Sequence, residues 1–121
     1  MRELTKAARE SEKAMQNADK AYNNTFASTQ AAADMAEHYI DKLEQMGDVE
    51  VLEGEEKQEY LNILALLCRT MPELSGYIDA QTGQIEGGTE ALRANMEAWK
   101  ENSLAQARQR QLESYLDAVA A

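Results

Sequence analysis

Met71-Pro72-Glu73-Leu74-Ser75-Gly76-Tyr77-Ile78-Asp79-Ala80-Gln81-Thr82-Gly83-Gln84-Ile85-Glu86-Gly87-Gly88-Thr89 is the stretch on which the fold turns. It contains the only proline and four of the six glycines, and the remaining two, Gly47 and Gly54, lie shortly before it. Residues 1–46 and 89–121 therefore carry neither helix breaker. Proline removes a backbone donor and glycine raises the entropic cost of a helix, so this distribution predicts two long helical arms around a broken middle.

Within the quoted stretch, Tyr77-Ile78-Asp79 and Gln84-Ile85-Glu86 flank Ala80-Gln81-Thr82-Gly83. Two short β-forming triplets around a loop ending in glycine predict a small β-hairpin over about 77–86, with Gly83 supplying the positive φ. An isolated hairpin is unstable in water, so Tyr77, Ile78 or Ile85 must pack on helices. Asp79 is expected to close the turn through backbone hydrogen bonds. Gly87 and Gly88 then release the chain, and Thr89 is the expected N-cap of the last helix.

Upstream, Tyr60, Ile63, Leu64, Leu67, Cys68 and Met71 fall at helical spacing, with Leu61, Ala65 and Leu66 widening the apolar side. A helix over about 55–70 follows, opened by Glu53, Glu55 and Glu56 and stopped before Pro72, with Leu74 as a further core position. Between Met46 and this helix, Gly47 is the expected C-cap and Asp48–Gly54 a break.

The first arm shows a 3-4 spacing through Leu4, Ala8, Ser11, Met15, Ala18, Tyr22, Thr25, Thr29, Ala32, Ala36, Tyr39, Leu43 and Met46. That register predicts a helix paired along its length. Its knobs are mostly small and bury little apolar surface, so the pairing should firm up toward Tyr39 and Leu43. In the last arm the apolar positions are Leu92, Met96 and Trp99, then Leu104, Leu112, Tyr115, Leu116 and Val119, with a stutter after Trp99. The predicted fold class is mainly all-α: an elongated antiparallel helical hairpin or coiled coil with a short middle helix and a small β-hairpin. It divides into an arm at 1–46, a broken middle at 47–88 and an arm at 89–121. A compact chain of this length has a radius of gyration of about 14 Å, whereas a helix over 1–46 would run about 70 Å. Whether the arms pair within one chain or between chains is left open by the pattern.

The net charge is −10, and residues 47–88 supply most of it, with nine acids against two bases. Phosphate recognition needs clustered Lys and Arg, so neither nucleic acid nor an anionic membrane is an expected partner. The lone Cys68 permits no internal disulfide and reads as a small buried hydrophobe. No run approaches a membrane span and the start is no signal peptide, which sets the expectation of a soluble intracellular chain.

Catalytic chemistry finds little to work with. His38 is the only histidine and lies in a polar run, so no transition-metal ligand set is available. Asp79 to Glu90 has the length of a calcium loop, but its glycine and hydrophobic position each come one place early. Asn23-Asn24-Thr25 matches a glycosylation acceptor inside a helical stretch. Nothing separates two carboxylate pKa values in a pocket. No enzyme, metal or cofactor is expected.

Taken together, Gln58-Glu59-Tyr60-Leu61-Asn62-Ile63-Leu64, Met71-Pro72-Glu73-Leu74, the run from Tyr77 to Leu92 and Asn95-Met96-Glu97-Ala98-Trp99-Lys100-Glu101-Asn102 resemble phage tail tape measure proteins of phages and prophages of Gram-positive gut bacteria. The likeness runs from about Ala36 to the C-terminus. It implies a long, largely helical protein that occupies the tail lumen, sets tail length during assembly and leaves when DNA is ejected. Implied partners are further copies of the chain, tail-tube proteins and tail-assembly chaperones; implied locations are the virion and the host cytoplasm. The resemblance carries over no catalytic residues, and a chain of this length would be an excised piece of such a protein. Two other classes stand beside it. One is a coiled-coil adaptor or dimerisation arm, as in chemoreceptor-like or chromosome-organising proteins. The other is a WXG-type secreted hairpin, which Trp99 invites, although Lys100-Glu101 follows where a glycine is needed two places on.

Overall fold

The computed structural model describes residues 6–120, and they are almost wholly helical. Helix α1 spans Lys6–Met46, α2 spans Gly54–Thr70 and α3 spans Gly88–Ala120, with short 3₁₀ segments at Val49–Val51 and Pro72–Tyr77. The chain divides into two compact units: one holds the residues up to Thr29 and those from Glu101 onward, the other is Gln30–Lys100.

The second unit contains the large-residue core. Ala33, Ala36, Ile40 and Leu43 of α1, Tyr60, Ile63, Leu64 and Leu67 of α2, Met71 and Leu74 around Pro72, and Leu92 and Met96 of α3 are buried in one cluster. Val49 and Leu52 join it from the segment between α1 and α2. Tyr39, Met46, Leu61, Tyr77, Ile78, Ile85 and Trp99 pack against it, each partly exposed. On α2, Tyr60, Ile63, Leu64 and Leu67 are buried as expected, but Cys68 is only half-buried, and Ala65 and Leu66, expected to widen the apolar side, face solvent.

α1 ends because Gly47 takes a φ of 82°. Its N–H donates to the Leu43 and Glu44 carbonyls, both at 3.2 Å, which satisfies carbonyls the helix end leaves open. Asp48 then caps the next turn: its Oδ1 accepts from the Glu50 N–H at 2.9 Å. This turn swings Val49 and Leu52 inward, three residues apart, so an acidic segment that reads as a mere break contributes two core residues.

Two sequence expectations for residues 77–89 need correction. The β-hairpin is reduced to a single antiparallel bridge between Ile78 and Ile85, and no strand is present among the described residues. The reason is local: Tyr77 is still committed to the 3₁₀ turn that Pro72 opens, and a turn begins again at Glu86, leaving one residue on each side to pair. The second concerns Thr89, which lies inside the first turn of α3 instead of capping it, because the helix begins at Gly88.

The first unit is built differently. Segments of α1 and α3 run antiparallel, with Ser11 Oγ donating to the Ala118 carbonyl at 2.7 Å. Ala18 and Thr29 of α1 and Ala107, Gln111 and Ala118 of α3 are its buried residues. Leu112, Leu116 and Val119, which the spacing marks as apolar positions of the last arm, point outward at 51%, 68% and 70% exposure. Close approach at Ser11 suits the alanines on the inner line, and Gln111, the large residue buried there, is kept by its hydrogen bond to Asp19.

Candidate functional site

Among the sequence-marked positions, the second unit gathers Tyr60, Gly83 and Ile85 around a small pocket. Its other walls are Gly47, Asp48, Val49, Gln84, Gly88 and Thr89. The loop that shapes it is tied by its own backbone. Asp79 N–H donates to the Gln84 carbonyl at 2.9 Å, Gly83 N–H to the Asp79 carbonyl at 2.8 Å, and Glu86 N–H to the Tyr77 carbonyl at 2.8 Å. Asp79 Oδ1 accepts from the N–H groups of Gln81 at 3.0 Å and Thr82 at 3.2 Å. Those two donors hold the exposed Asp79 carboxyl below the usual aspartate range.

Gly83 sits at φ 80°, and a Cβ placed there would lie 2.7 Å from Val49 Cγ2 and 3.2 Å from Leu61 Cδ2. It is therefore required twice over, for its backbone angle and for its lack of a side chain. Gly87, at φ 78°, meets a similar limit, since a Cβ would come within 2.7 Å of Ala91 Cβ. Gln84 Nε2 reaches Glu50 Oε1 at 3.2 Å and ties the loop to the turn after α1. These contacts make the pocket a by-product of a tightly folded turn.

A charged cluster lies on the same unit. Arg93 of α3 donates through Nη2 to Asp41 Oδ1 at 2.7 Å and Glu44 Oε1 at 2.9 Å, with Glu37 Oε1 3.8 Å from Nη1. Hydrogen bonds to Asp41 and then Glu44 push the Arg93 pKa further up. The three acids fall at 37, 41 and 44, one line of α1, and that spacing was the available sequence signal for the clamp.

Other reactive side chains are quiet. Burial raises the Cys68 thiol pKa, which lowers its thiolate fraction at neutral pH. Tyr60 is raised by burial and, after it, by Asp48. His38 is exposed beside Tyr39. Trp99 lies within α3, away from any inter-helix loop. Among the described residues no group of His, Cys, Asp and Glu is arranged to hold a metal ion, and no helix is long and apolar enough to cross a membrane.

In the first unit, sequence reasoning missed a polar lock. Gln111 Nε2 donates to Asp19 Oδ1 at 2.8 Å, and the Tyr115 hydroxyl donates to the same oxygen. Arg108 donates from Nη1 to Gln111 Oε1 at 2.7 Å and lies 4.2 Å over the Tyr22 ring. Beside it runs an open groove lined by Ala7, Ala14, Ala18, Ala21 and Ala118, with Glu10, Ser11, Asn17, Ser114 and Asp117. The comparisons with known proteins returned no matching family model, curated protein or solved structure.

Proposed function

We propose that this chain is a structural segment of a phage tail tape measure protein, working through helical packing and length and not through catalysis. The observation that carries the reading is the ordered set of motifs from Gln58 to Asn102, every one of which falls in the second unit or at its edge. Their residues have packing or turn-forming work: Leu74, Leu92 and Met96 are buried, Gly83 and Gly87 hold positive φ, and Trp99 packs on the core. A motif set made of such residues describes a scaffold.

The helices supply the physical property the role needs. A rise of about 1.5 Å per residue makes α1, at 41 residues, about 60 Å long. Chain length is converted to distance when the paired arms open out along the tail. In the proposed setting the partners are further copies of the chain, tail-tube proteins and assembly chaperones, in the tail lumen and in the host during assembly. The arms pair as an antiparallel coiled-coil hairpin in this reading.

The test is an in-frame deletion of two heptads from α1 in the phage or prophage that encodes the chain. Tails measured by electron microscopy should shorten by about 21 Å; unchanged length would remove the proposal. A coiled-coil adaptor or dimerisation arm is the second reading, favoured by the outward Leu112, Leu116 and Val119. It expects altered partner capture at constant tail length.

A further inference from the structure

The folded turn accounts for the shape of the pocket beside Tyr60 but not for the polar groups left open in it. Tyr60 is only 4% exposed, yet its hydroxyl makes no hydrogen bond to any described residue. No buried side-chain oxygen among the described residues is sealed away without a partner, so this hydroxyl opens onto the cavity that its residue lines. A deeply packed ring thus presents a free O–H, able to donate or accept, to whatever enters.

Two further walls add to it. Gly88 and Thr89, the start of α3, line the same cavity. The Gly88 N–H is spent on the Ile85 carbonyl at 3.0 Å, and Gly87 before it brings no capping side chain. The N–H groups of Thr89 and Glu90 have no partner in the helix ladder, and the positive end of a 33-residue helix lies with them. The other wall is Asp48, whose Oδ1 accepts from the Glu50 N–H while Oδ2 accepts from no described residue. Asp48 acts on Tyr60 through its charge with no hydrogen bond between them, so a bridging group would find a partner on each side.

These three groups select a chemistry. Asp48 calls for a donor, the start of α3 calls for an acceptor, and the Tyr60 hydroxyl serves either. A carboxylate has no donor and meets Asp48 as a like charge, within a segment of nine acids and two bases. An ammonium has no acceptor and meets the positive end of α3. A primary carboxamide has an acceptor oxygen, two N–H donors and no charge. The cavity holds about 230 Å³, below the roughly 300–1,000 Å³ of a drug-sized site, which suits a group of a few atoms. We propose that this pocket binds a primary carboxamide, the group carried by asparagine and glutamine side chains and by small free amides. The site goes beyond the structural role given above and does not depend on the tail assignment.

The experiment is an NMR titration of the whole chain, read at its backbone amides, with acetamide, acetate and methylammonium at constant ionic strength. Acetamide should shift the Thr89 and Glu90 amides with a Kd of about 1–50 mM, as befits so small a probe, and the two ions should bind at least about tenfold more weakly. Tyr60→Phe keeps the ring and should weaken acetamide about three- to tenfold, with resonances away from the pocket unmoved. Asp48→Asn keeps an acceptor for the Glu50 N–H, removes the charge and should let acetate bind. A capped glutamine that binds more tightly than acetamide assigns the group to a protein side chain, and one that binds more weakly assigns it to a free amide; both support the site. Three results would each overturn the proposal: no shift at Thr89 and Glu90 up to about 200 mM acetamide, which would leave water alone in the cavity; acetate or methylammonium binding the wild type as well as acetamide; or an affinity unchanged in Tyr60→Phe.

Discussion

Gly83 is the residue where backbone and packing make the same demand. Gly83→Ala forces a positive φ on a residue with a Cβ and drives that atom into Val49, so a loss of about 2–4 kcal/mol is expected. Gly54→Ala also carries a positive φ, but its Cβ would meet open space, and about 1 kcal/mol is expected. Urea denaturation of the two variants separates strain from collision; equal losses would show that the Val49 contact is immaterial. Asp79 offers a test by pH. Its folded pKa is depressed by the Gln81 and Thr82 N–H groups, so its contribution is present above the ordinary aspartate value and fades as pH falls through the lower folded value. Asp79→Asn should remove that increment of acid sensitivity, and an NMR titration should place the Asp79 midpoint below the ordinary range.

At the scale of elements, α2 is the cleanest case. Leu64→Ala and Leu67→Ala remove fully buried side chains and should each cost about 3–5 kcal/mol, while the neighbouring Leu66→Ala should cost under about 1 kcal/mol. A flat response across the three would mean the helix is not packed on the face described. The clamp between α1 and α3 is worth less than its three carboxylates suggest, because every partner is a third or more exposed. Arg93→Ala should cost at most about 1 kcal/mol, and less in high salt. The three helices were legible because breakers and apolar periodicity agree: Gly47 and Pro72 mark the ends of α1 and α2, and Tyr60 to Met71 defines a buried side. Ile40 was missed because the chosen register ran through Ala36, Tyr39 and Leu43, although a globular core draws on a wider stripe than a seam. Val49 and Leu52 were hidden by the acids around them. The hairpin was over-read because period-two spacing at Ile78 and Ile85 does not reveal that Pro72 keeps Tyr77 in a helical turn.

On the molecular scale the two units differ in what holds them. Gln30–Lys100 buries Leu, Ile, Met and Tyr, whereas the other unit buries Ala, Thr and Gln. Burial stabilises in proportion to apolar area, so amides of residues 6–29 and 101–120 should exchange faster with solvent than those buried in the second unit. Hydrogen exchange read by mass spectrometry checks this, and uniform protection would contradict it. The inward line of α3 could not be read from hydropathy, because Ala107, Gln111, Ser114 and Ala118 are small or polar and the leucines lie elsewhere. Their placement depends on how near the facing helix comes, which no single segment encodes.

The lock of Asp19, Gln111 and Tyr115 also bears on how the chain responds to force. Hydrogen bonds of this kind are lost over a fraction of an ångström and are replaced by water at small net cost. Because Ser11 stands opposite Ala118, tension applied at those two positions would be expected to peel this region apart one contact at a time, as a zipper opens from its tab. Such a seam is expected to open at low load and, once the load is removed, to re-form with Asp19 back on Gln111, which single-molecule pulling would read as a low, reversible unfolding force.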